Sequence, residues 1–116
     1  MGVDLKLLPL LSPGTWAAHD GIGLERRDEF WPKIEALEQA EIPEPLRCYH
    51  ARTSDDAEGY GRLEKTPFGT RLTWTTAARL MTLASEHEVK DNWKNRAAWA
   101  YLAQMPPEHP IVLYWH

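Results

Sequence analysis

The chain has 116 residues, 43% of them hydrophobic, with a single cysteine and a formal net charge of −4. That length supports one core and not two, and the apolar content is too high for a disordered chain. The acidic balance argues against a nucleic-acid binder, which presents a basic face to phosphates.

Cys48 has no cysteine to pair with, so no intrachain disulfide forms, which fits a reducing compartment. The longest apolar run, Leu7 to Leu11, is interrupted by Pro9 and is too short to span a membrane. The N-terminus lacks the charged-then-apolar plan of a signal peptide. Residence in the cytoplasm is the expectation.

In chain order, Val3, Leu5 and Leu7 alternate with Asp4 and Lys6, which predicts a half-buried strand ending near Pro9. Residues 11–23 carry Pro13, Gly14, Gly21 and Gly23 and read as a loop. Leu24 to Ala40 reads as a helix with Phe30, Trp31, Ile34 and Leu37 near one face. Pro32 conflicts with a regular helix interior, which predicts a distorted first half. Ile42-Pro43-Glu44-Pro45 is a stiff connector, and Leu46 to Ala51 can form a short strand. Ser54 to Glu58 is a polar loop. Tyr60–Leu63 and Arg71–Trp74 are expected to pair as a hairpin across Thr66-Pro67-Phe68-Gly69, where Pro presets φ and Gly accepts φ > 0.

Thr73 or Thr75 can cap the next helix, whose Ala77, Leu80, Met81 and Ala84 follow the i, i+3, i+4, i+7 spacing. After a polar break, Asp91 caps a third helix running to about Gln104. Its predicted buried stripe is Trp99, Leu102 and Ala103, extended by the Arg96 stem. Pro106 and Pro107 stop it. Ile111 to Trp115 is a final strand with apolar residues on both faces, as in a central strand. The order β-α-β-β-β-α-α-β fits a single α+β domain over residues 1–116: a mostly antiparallel sheet of four to five strands with about three helices on one face.

Several stretches resemble a group of small accessory proteins encoded by tailed phages and prophages of Gram-negative bacteria. The matching residues are the opening Met1 to Pro9, Leu24-Glu25-Arg26-Arg27, Tyr60-Gly61, Thr66-Pro67-Phe68-Gly69 and Leu72-Thr73-Trp74. Asn95 to Leu102, Pro106-Pro107 and Val112 to His116 complete the set. The resemblance implies an origin and a host-cytoplasm setting outside the virion. It implies no activity, so no catalytic residue carries over. By analogy, such proteins act stoichiometrically on host proteins, including defence systems.

Reactive groups are sparse. Cys48 and His50 would share a strand face, close enough for the imidazole to draw the thiol proton, but no third orienting group accompanies them. Gly21 and Gly23 precede a predicted helix with Arg26 close behind, a weak nucleotide-loop pattern that lacks the Lys-Ser/Thr step. His19, Asp20, His50, His87, Glu88, His109 and His116 show no metal-ligand spacing. No cofactor or metal site is expected.

Six tryptophans are many for a chain of this size, and partly exposed indoles make interface anchors. Trp16, in a loop, is the first candidate. Trp93, about 120° from Trp99 on a helical wheel, is the second. If the first and last strands are neighbours, Asp4, Lys6, Tyr114 and His116 lie together on the sheet face away from the helices. Leu8 and Val112 on that side suggest cover by something, a second copy included. The leading reading is a non-enzymatic phage accessory protein that binds a host protein of a defence or replication system. The alternatives are a small nucleotide-binding or hydrolytic enzyme, and a self-associating assembly protein, for example a homodimer through the sheet.

Overall fold

In the computed structural model, residues 4–12, 15–18, 21–25, 31–48, 61–87 and 93–116 are described. The organising element is the last strand, Pro110–Trp115 (β8 in chain order). Ile111, Val112 and Leu113 are all fully buried there, so the strand has core on both faces. It pairs antiparallel with β1 (Leu5–Pro9) on one side and β7 (Thr73–Thr76) on the other. β3 (Ile22–Leu24) and β4 (Ala40–Glu41) form the edges, giving a five-stranded antiparallel sheet in the order β3-β1-β8-β7-β4.

One face of this sheet carries the helices. Leu5, Leu7, Ile111 and Leu113 meet Trp31 and Ile34 of α1 (Trp31–Glu35), Ala77, Leu80, Leu83 and Ala84 of α2 (Ala77–His87), and Ala98, Trp99 and Leu102 of α3 (Trp93–Ala103). The chain is thus an α+β domain, and the three helices among the described residues lie on one side of the main sheet. None of the helices among the described residues is long and apolar enough to cross a membrane.

The opposite face departs from expectation. It is covered along its inner part by a second sheet, β2-β5-β6, made of Ala17–Ala18, Leu46–Cys48 and Gly61–Leu63. Leu8, Leu10, Val112 and Leu72 pack there with Ala18, Ile42 and Leu46, with Trp16, Leu63, Trp74 and Tyr114 around the margin. Leu8 and Val112 therefore need no second copy to cover them. The stretch expected to be loop contributes two strands. β2 is too short to show alternation, and β3 is interrupted by Gly23.

The expected helix from Leu24 to Ala40 is also shorter. Leu24 closes β3, α1 ends at Glu35, and Ala40 and Glu41 pair with Trp74 and Thr73. The Gln39 amide stops the helix by donating to the carbonyls of Ile34 and Glu35 (3.1 and 3.0 Å) while its oxygen accepts from Thr73 Oγ1 at 2.6 Å. Buried Thr75 donates to the Glu38 carbonyl. These side chains hold the backbone beside β7, where a longer helix would expose its carbonyl end.

The hairpin tip is present, but its arms are not partners. Gly69 has φ 88°, its N–H reaches Thr66 O at 3.0 Å, and Lys65 and Arg71 form a bridge. Beyond that bridge β6 joins β5 and β7 joins β8, so the two arms belong to different sheets. The cap of α2 is Thr76, whose hydroxyl accepts from Arg79 N at 3.3 Å, since Thr73 and Thr75 are committed to Gln39 and Glu38. In α3 the buried stripe is Asn95, Ala98, Trp99 and Leu102, whereas Ala103 and Arg96 face solvent.

Asn95 is the one buried amide of that stripe. Its Oδ1 accepts from Glu25 N at 2.8 Å and its Nδ2 donates to Glu25 O at 3.1 Å. The side chain imitates a neighbouring strand and ties α3 to the sheet edge just past β3. Asn95→Ala should lower the unfolding free energy by about 2 kcal/mol, since both backbone groups of Glu25 lose a partner. Urea denaturation reads this directly, and an unchanged midpoint would show that the amide contributes nothing.

Candidate functional site

Among the described residues the second sheet stops short of one end of the main sheet, and the residues grouped by sequence lie at that end. Lys6 is the register partner of Tyr114, and Leu5 of Trp115. One step further out, Asp4 and His116 exchange backbone hydrogen bonds of 2.7 and 2.9 Å, which carries the ladder to its end. Alternation along each strand then places Asp4 and Lys6 on the same face as Tyr114 and His116. Asp4, Lys6 and His116 are exposed and Tyr114 is half-buried.

The Tyr114 and His116 rings stack at 5.4 Å with planes 20° apart. Tyr114 is packed against the second core, so the stack has a rigid foot. Lys6 is positioned from the other side. Its aliphatic stem crosses directly over Gly21, where an added Cβ would collide with the stem and lie 2.8 Å from Leu8 Cδ2. Gly21 therefore provides room for a lysine laid along the sheet. Lys6 is exposed, and among the described residues it makes no ion pair. Gly23, the register partner of Lys6, has open space where its Cβ would be. The result is a small platform of one acid, one base and two stacked rings, supported from below by both cores.

The other predicted residues fall elsewhere. Gly21 and Gly23 flank Ile22 at a sheet edge, with Gly23 inside β3, so they do not form a glycine loop leading into a helix. Arg26, His50, His19, Asp20 and Glu88 lie outside the described residues, and so does the side chain of Cys48, whose backbone ends β5. Among the described residues no three His, Cys, Asp or Glu side chains converge to hold a metal ion.

Trp16 is not the free indole expected of a loop. It meets Trp74 edge to face at 5.9 Å and 70° and is half-buried at the margin of the second core. Trp93 is 68% exposed, with Lys94 Nζ 5.9 Å from its ring centre. Two exposed aromatics escaped the sequence reading: Phe68 at the turn tip and Tyr101 on α3. Tyr101 was legible in principle, since it lies across the helix from Trp99 in a segment whose apolar residues leave no purely polar face.

Tyr101 also borders a cavity of about 460 Å³ at the end of α3, lined with Pro9, Gln104, Met105, Pro106 and His109. His109 Nε2 lies 2.8 Å from the Leu10 carbonyl and is placed to donate to it; Nδ1 is buried with no partner among the described residues. Compared with protein-family models, curated proteins and solved structures, the chain gives no match to any of the three.

The two glycines beside the platform make opposite predictions. Gly21→Ala should cost about 1 kcal/mol by displacing the Lys6 stem, and most of that cost should vanish in a Lys6→Ala background. Gly23→Ala, with open space and a strand conformation, should instead stabilise by about 0.5 kcal/mol. Thermal or urea melts of the four variants measure both effects.

Proposed function

We propose that this chain is a non-enzymatic phage-type accessory protein that binds a host protein in the bacterial cytoplasm, with the Asp4–Lys6–Tyr114–His116 platform as its docking surface. The observation that carries this reading is the stacked Tyr114–His116 pair beside the exposed Lys6, on a sheet end that the second sheet, among the described residues, leaves open. A tyrosine offers large contact area with few rotatable bonds, and here its packing is already in place before a partner arrives. Less ordering cost then opposes association. Lys6 adds steering towards an acidic patch on the partner.

The resemblance to phage and prophage accessory proteins supports the choice of a host protein over a metabolite. An inhibitor acting by stoichiometric contact needs a stiff, mixed polar and aromatic surface, and no reactive group has to be activated. A host defence or replication component is the class of target this favours.

Affinity capture from host lysate tests the reading when wild type is compared with Tyr114→Ala and Lys6→Glu. Either substitution should weaken capture of the same host protein at least about 10-fold. Equal capture by all three proteins, or none by wild type, would overturn the proposal.

A further inference from the structure

The main sheet has a second end, opposite the platform. Pro9 is the register partner of Ile111 there, as Leu5 is of Trp115 at the platform end. Beyond α3 the chain turns through Pro106 to His109 before entering β8, and backbone bonds fix that turn on three sides. His109 N–H donates to Pro106 O at 3.0 Å. The carbonyls of His109 and Pro107 accept from Ala77 and Ala78, the first two N–H groups of α2, at 3.1 and 2.8 Å. Leu10 N–H reaches Pro110 O at 3.2 Å. The cavity between this turn, the end of α3 and the end of β1 is therefore framed by anchored backbone.

Its volume of about 460 Å³ falls within the range of small-molecule sites. Pro9, Met105 and Pro106 give it an apolar lining, with the Tyr101 ring at the rim. A thioether favours aromatic rings, and its unbranched chain adapts to their outline. Among the described residues no Asp, Glu, Lys or Arg lines the cavity, which favours a neutral ligand over an ion.

His109 is the polar member of the wall that sets the ligand's chemistry. Its Nε2 is committed to Leu10 O at 2.8 Å. In the tautomer that donates there, Nδ1 is an acceptor. Nδ1 is buried and has no donor among the described residues. A buried acceptor without a partner forfeits the hydrogen bonds that water gave it in the unfolded chain. A ligand that brings a donor recovers one of them.

We propose that this cavity binds a small, neutral aromatic molecule carrying one hydroxyl or ring N–H. The ring lies against Pro9, Met105 and Pro106, and the donor is directed at His109 Nδ1. Met105 is half-buried, and its flexible side chain is the part of the wall that gives way as the ring enters. The site is at the opposite end of the sheet from Asp4, Lys6, Tyr114 and His116 and does not depend on what docks there.

Titration of the full chain with phenol, and separately with toluene, tests this by NMR of the methionine methyls and the histidine ring nitrogens. Toluene has the same ring and no donor. Phenol should shift the Met105 methyl saturably and move the His109 Nδ1 resonance, while Met81, packed against the helix-side core, stays still. Toluene should bind at least about 5-fold more weakly and leave Nδ1 unmoved. Gln104→Trp, at an exposed position on the rim, should fill the opening and weaken phenol binding at least about 10-fold, with unchanged far-ultraviolet circular dichroism. Absence of a saturable Met105 shift with phenol would overturn the proposal. So would equal affinity for toluene, an Nδ1 resonance indifferent to phenol, or undiminished binding by Gln104→Trp.

Discussion

Everything in this structure depends on β8 having no solvent side. Ile111 and Leu113 belong to the helix-side core and Val112 to the core under the second sheet. Three consecutive residues without exposure remove a substantial apolar area from water, at roughly 25 cal/mol per Å². They also force cover onto both faces of the sheet at that point. The helices provide one cover and the β2-β5-β6 sheet the other. Each is brought there by backbone pairing and capping side chains: Gln39 and Thr75 on one route, the Lys65–Arg71 bridge on another.

The same strand determines where cover ends. Towards its C-terminal end the burial relaxes from Leu113 to the half-buried Tyr114 and Trp115 and the exposed His116. On the helix side Trp115 finds Trp31 at 5.7 Å, edge to face, and remains part of the packing. On the other side, among the described residues, no matching element is present, and Tyr114 stacks on His116. Among the described residues, the platform is thus the outcome of an asymmetry: one core reaches the sheet's end and the other does not. Its stiffness follows from its position at the boundary of a packed core, because close-packed neighbours leave a half-buried ring few alternatives.

α3 shows the same economy at the level of a helix. One face supplies Trp99 and Leu102 to the core and the Asn95 amide to the edge of β3. The other displays Trp93 and Tyr101 to solvent. A surface helix usually opposes an apolar stripe with charge, and here the opposing side mixes Lys94 and Arg96 with Trp93, Tyr101 and alanines. Stability of the monomer does not call for that choice, since exposed positions tolerate polar residues at little cost.

Much of this was legible from residue order. The alternation of β1, the doubly apolar β8, the stripe of α2 and the proline stop after α3 all express local periodicities, and periodicity survives without knowledge of partners. The grouping of Asp4, Lys6, Tyr114 and His116 followed once β1 and β8 were taken as neighbours, since alternation fixes the face. What the sequence could not decide was which segment covers which face. β2, β3 and β4 are two or three residues long, too short to carry a period, and they exist because a longer strand lies beside them. Gln39, Thr75 and Asn95 terminate or tether elements through contacts between residues 34, 37 and 70 positions apart. Local order therefore determined the elements and their inward faces, while the second sheet, the burial of Trp16 and the exposure of the platform were decided by long-range pairing, which no single segment encodes.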